Sequence, residues 1–215
     1  MTGSTASTSQ AEYRWPATIA IVVAIAVYVL LPPAAQVIPR WIVPVVAAAM
    51  LIPLLILNPH HFTRETRWSR LLSLGLAVVL TLANQVEVVT TIIHLVQGGT
   101  EAGTVLLTAL QVWVTDVIAF GLIFWELDRD GPFARRMGDA EVPADFRFPQ
   151  EDSGPTDWKP GFVDYLYFSL SNMMAFSPTD VMPMTQRAKA FMGLQAFTGF
   201  VLLALVISRA VNILS

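Results

Sequence analysis

Five apolar runs divide this chain, and their lengths leave it few folds. Trp15 to Leu31 is uninterrupted until Pro32-Pro33, and at about 1.5 Å per residue its roughly 17 residues just reach across a hydrocarbon core. Trp41 to Leu57 is a second run of similar length, with Pro44 and Pro53 inside it and Asn58-Pro59 at its end. Proline is tolerated in membrane helices because neighbours re-satisfy the freed backbone. Leu71 to Val96 and Thr104 to Trp125 follow, and a last run goes from about Ala188 to Leu214. A bilayer core offers no water to backbone N–H and C=O groups, so such runs must be helical. Trp15, Trp41, Trp68 and Trp125 all fall at run ends, where amphipathic rings prefer the headgroup layer.

Composition sets further bounds. With 54% hydrophobic and 13% charged residues, the chain has the apolar share of a multi-spanning membrane protein. Residues 1–14 are too polar to pack and read as a disordered tail. The first run lacks a basic start and a small-residue cleavage site, so it reads as a retained anchor. There is no cysteine, which excludes disulfides and thiol chemistry. The net charge of −3 and the absence of a long basic run give no case for nucleic acid. No Gly-rich phosphate loop, metal-hydrolase His-Glu pattern or Gly-x-Ser-x-Gly occurs. No enzyme, cofactor or metal is therefore expected, and His60-His61 reads as part of a solvated loop.

Three further segments complete the organisation. Residues 15–125 hold the first four spans, expected as a bundle around the polar third helix. Residues 126–160 hold acids, prolines and glycines without a helical or strand period; they read as an acidic, solvated linker whose Phe146-Arg147-Phe148-Pro149 patch rests on the membrane surface. Residues 161–215 contain a short helical segment, Phe162 to Phe176, a Ser177-Pro178-Thr179-Asp180 turn reaching Thr185, and the last span. A helix that short cannot cross, and irregular backbone at membrane depth is tolerated only where protein or a watery cavity surrounds it. The expected fold is an all-α integral membrane protein with five transmembrane helices plus a re-entrant, pore-helix-like segment. Placing the N-terminus in the cytoplasm puts Arg14, Arg64, Arg67, Arg70, the linker bases, Arg187 and Lys189 inside, and leaves Arg40 and Arg209 outside. A sixth crossing by 162–176 is the alternative.

The third run carries Asn84, Glu87, Thr91 and His94 at spacings of three, four and three. At roughly 100° per residue these fall on one stripe. Asp116 lies in the fourth span and Arg209 toward the end of the last. Ionisable groups inside a membrane are costly and usually paired. Glu87, His94, Asp116 and Arg209 are thus candidates for an internal network, either a proton or ion relay or a static pairing that fixes helix packing. Met173, Met174, Met182 and Met184 read as packing for an irregular loop.

The run Phe162 to Thr185, with its aromatic-rich helix, Asp180, Pro183 and Thr185, resembles the pore module of the two-transmembrane-helix potassium-channel superfamily. The resemblance covers residues 104–214 and implies a filter at Ala175, Phe176, Ser177, Pro178, Thr179 and Asp180. The filter is degenerate: Ser177 and Thr179 stand at the family's glycine positions. Glycine permits the positive φ that a carbonyl-lined filter uses, whereas β-branched Thr179 resists it and Pro178 is fixed near −65°. A standard potassium filter is not expected. The chain is also similar to an uncharacterised bacterial multi-pass family, through Phe148-Pro149, Asp164-Tyr165-Leu166-Tyr167-Phe168 and the Ser177 to Asp180 turn.

These readings imply an ion-channel-like pore-loop protein in the cell membrane, a homo-oligomer, tetrameric if it is a channel, with Asp180 drawing monovalent cations. Asp180 has a second reading as a cap for the turn. The alternatives are a non-conducting scaffold that binds a partner through the linker, and a proton-coupled transporter using Glu87, His94 and Asp116.

Overall fold

The computed structural model describes residues 15–30, 39, 41–57, 67–97, 102–137, 142–153, 158–174 and 181–214. They are mostly helical. α1 (Trp15–Leu30) and α2 (Ile42–Leu57) carry almost no polar side chains, the composition of helices surrounded by apolar matter on every side. α3 (Arg67–Gln97), α4 (Ala102–Leu127) and α8 (Gln186–Leu214) are the long ones. Three stretches along them, Arg70–Gln97, Leu106–Asp130 (which runs on past the end of α4) and Gln186–Val211, are long and apolar enough to cross a membrane, which supports a membrane protein. α1 and α2 have 16 residues each, about 24 Å of helix against a core of about 30 Å.

The bundle is organised around α4, not around the polar third helix as expected. Of the three long stretches, that of α4 is 72% buried, that of α3 50% and that of α8 22%. α4 packs against α1, α3, α8 and the short α7 (Phe162–Met173). Its inner face explains why: Phe120, Phe124 and Trp125 are almost fully buried, and Gly121 between them admits a neighbour. A Cβ at Gly121 would lie 3.3 Å from Leu166 Cα of α7, so a bare α-carbon lets the two backbones approach.

α7 runs antiparallel to the end of α4. Gly161 N–H donates to Asp164 Oδ2 at 2.8 Å and closes its first turn. Phe162 meets Trp125 edge to face at 5.7 Å, and Ser169 Oγ donates to the Val117 carbonyl at 2.7 Å. The far end of α7 lies against α8, where a Cβ on Gly199 would run into the carbonyl oxygen and Sδ of Met173. Gly199 is roughly 20 Å along α8 from its start at Gln186. The chain is then back at the starting end: β2 (Met182–Pro183) pairs antiparallel with β1 (Phe146–Arg147), and Met184 N–H donates to the Asp145 carbonyl at 2.8 Å. α7 and the chain after it thus leave from and return to one end of α4.

The stretch 126–160, expected as a solvated linker, is instead a folded cap in its described parts. After α4 a 3₁₀ turn, Asp128–Asp130, reverses the chain through positive φ at Arg129 (48°), Asp130 (59°) and Gly131 (97°). α5 (Pro132–Met137), β1 and α6 (Gln150–Ser153) follow. Phe146 and Phe148 do not rest on a surface; both are buried. Phe146 packs edge to face on Phe124 and Phe168 at 5.1 Å each, and Phe148 does so on Tyr165 at 5.2 Å. A lack of period had suggested solvent, but large aromatics gain about 25 cal/mol per Å² by burial whether or not they sit in a regular element.

Candidate functional site

Two buried polar clusters stand out, one at the end of α4 and one midway along it. At the end, Asp128 is fully buried. Its Oδ1 accepts the backbone N–H groups of Asp145 (2.8 Å) and Phe146 (3.2 Å), and its Oδ2 accepts the Tyr165 hydroxyl at 2.5 Å. Arg135, also buried, donates from Nη1 to the carbonyls of Trp125 (2.6 Å) and Asp128 (2.7 Å). A cation is favourable at that helix terminus, and the guanidinium lies 4.9 Å from the centre of the Tyr165 ring.

Asp145 ties in the returning chain. Arg187 grips its carboxylate with two hydrogen bonds, Nε to Oδ1 at 2.7 Å and Nη2 to Oδ2 at 2.6 Å, and Thr185 Oγ1 donates to Oδ1 at 2.5 Å. Thr185 Oγ1 also accepts from Ala188 N–H at 3.3 Å, so Thr185 caps the first turn of α8. On the rim of the cap, Lys159 Nζ donates to the Arg136 carbonyl at 2.8 Å. Burial, together with Arg136 and Arg129 nearby, holds Lys159 below the usual lysine range.

The middle cluster joins α3, α4 and α8. Asp116 is fully buried and its Oδ1 accepts the side-chain amides of Asn84 (2.7 Å) and Gln85 (2.9 Å). Thr115 Oγ1 donates to Asn84 Oδ1 at 2.5 Å, and Thr198 Oγ1 to Gln85 Oε1 at 3.4 Å. One turn deeper in the groove between α7 and α8, Gln195 Nε2 donates to Ser169 Oγ at 2.7 Å while Asn172 Nδ2 donates to Gln195 Oε1 at 2.8 Å.

Of the residues singled out in the sequence, Asn84 and Asp116 are brought into direct contact. Glu87 and Thr91 are buried on the same face of α3 without hydrogen-bond partners among the described residues. His94 and Arg209 are partly exposed and likewise form no hydrogen bond or ion pair there, so the expected pairing of these charges does not form among the described residues. Ala175, Phe176, Ser177, Pro178, Thr179 and Asp180 lie outside the described residues, as does His60-His61. Gln85, Asp128 and Asp145 were not marked as site residues, and Tyr165 and Arg187 entered only through a resemblance and the charge count. The available signal was a set of aromatics, Phe146, Phe148 and Trp158, too numerous for a solvated linker. The chain matches no known protein family, no curated protein and no solved structure.

Proposed function

We propose that the chain is an ion-channel-like pore-loop protein of the cell membrane, with five spans, a cytoplasmic N-terminus and a re-entrant hairpin made of α7 and the segment that follows it. One observation carries this reading. α7 reaches only partway along α4 and α8, and the chain regains the end of α4 it left, where Asp145 and β1 hold it. In lipid, such a half-depth hairpin needs protein or a water-filled pathway beside it. In this reading α1 and α2 complete the five spans, Ala175 to Asp180 form the constriction, copies of the chain assemble around it as a tetramer, and Asp180 concentrates monovalent cations. The likeness to the potassium-channel pore module supports the same assignment. Reconstituted into planar bilayers, the protein should pass cation current that Asp180→Asn lowers; no current from the parent chain, or an unchanged one from the variant, overturns it.

A second reading is a non-conducting scaffold. It is favoured by the way α7 directs its polar side chains, Ser169 and Asn172, to its own α4 and α8, and by the ordered cap, which offers a shaped surface to a cytoplasmic partner.

A further inference from the structure

A cavity of about 20 Å³ lies where α1, α2, α3 and α4 meet, beside the last turn of α4. Its wall is mostly apolar, with Ile21 of α1, Leu51 and Leu54 of α2 and Leu122 of α4. Three oxygen-bearing side chains interrupt that wall: Thr18 of α1, Ser73 of α3 and Glu126 of α4. Glu126 is only 6% exposed, and Ser73 Oγ donates to its Oε1. We propose that this cavity is a hydration site, in which an internal water bridges Glu126, Ser73 and Thr18 at the point where the four helices converge.

Size, chemistry and burial each favour water. First, the volume suits it: a cavity needs roughly 10–15 Å³ to hold a water, whereas organic ligands take pockets of roughly 300–1,000 Å³. Second, the polar groups match in number and kind. An internal water makes about three hydrogen bonds, and three oxygen-bearing side chains line this space. The two hydroxyls can donate or accept, and a carboxylate offers about four acceptor positions, so the bond from Ser73 leaves Glu126 able to accept more. Third, the acid gains from it. A carboxylate set against apolar walls is costly unless hydrogen bonds surround it. A bridging water supplies one that is nearly as good as a direct bond.

The test uses the full chain in lipid vesicles with its alanines labelled, and follows the transfer of water magnetisation to individual alanine methyl groups by solid-state NMR. Ala17 and Ala77 line the cavity. Ala47 and Ala119 are buried as deeply, at 0% and 2% exposed, and do not line it. The methyls of Ala17 and Ala77 should therefore receive water magnetisation several-fold faster than those of Ala47 and Ala119. Ala77→Val puts a bulkier side chain into the cavity and should bring Ala17 down to the rate of Ala47. If Ala77→Val does not fold, the comparison within the parent protein decides. Equally slow transfer at all four methyls in the parent, or an unchanged rate at Ala17 in folded Ala77→Val, overturns the site and assigns the space to dry apolar packing.

Discussion

Asp128 and Asp116 are both fully buried acids on one stretch of polypeptide, about 18 Å apart along the helix, and they live in opposite surroundings. Asp128 has both oxygens engaged by Tyr165, Asp145 and Phe146, with Arg135 across the Tyr165 ring. Asp116 has one oxygen doubly bonded and the other without a hydrogen-bond partner among the described residues. A satisfied buried acid fixes structure, because every neighbour loses a partner if it goes. The cap is therefore read as the rigid end that fixes the hairpin, whereas the mid-bundle acid is only half engaged among the described residues.

That contrast breaks most readily at Asp128. Asp128→Ala strands a buried phenol and two backbone N–H groups, and should cost on the order of 3–5 kcal/mol, measured by unfolding in mild detergent; Asp116→Asn, which keeps an oxygen for the amides of Asn84 and Gln85, should cost far less. Equal costs would erase the distinction. Next is Gly199→Val, which drives a side chain into the Met173 carbonyl and should destabilise by roughly 2–3 kcal/mol while leaving the Asp128 cluster intact. Arg187→Lys keeps the charge but loses the two-pronged grip on Asp145. Because the Arg187 side chain is 49% exposed, the expected cost is only about 1 kcal/mol.

The smallest effect is one of pH. Lys159 sits below its ordinary value of 10.5 in the folded chain. Between that lowered value and the unfolded one, the unfolded state binds more protons, so stability rises with pH across the window. Lys159→Gln should flatten that rise in denaturant titrations taken at successive pH values; a slope that survives the substitution would place its origin elsewhere in the cap.

How much of this was legible beforehand depends on periodicity. The apolar runs that became α3, α4 and α8 announced themselves, as did the shortness of the helix at Phe162. Asn84 and Asp116 were marked because a polar group in an apolar run is conspicuous. Gln85 was left out of the candidate network because it lies off the Asn84 stripe, yet it reaches the same carboxylate. The cap was missed for a different reason. Asp128, Asp145 and Arg187 look like ordinary surface charges in a sequence, and only pairing across 17 to 42 residues of chain turns them into buried ties. Long-range pairing of that kind leaves no local pattern. The hub role of α4 was equally hidden, since Gly121 matters only once α7 lies on it.

The central claim is that the chain around α7 turns back to the face it left. The protein has no cysteine, so Ser153→Cys before α7 and Met184→Cys after it can each be labelled alone with a membrane-impermeant maleimide in sealed, oriented vesicles. Reaction of both from the cytoplasmic side is expected. Labelling from opposite sides would make α7 part of an ordinary crossing and would contradict the account.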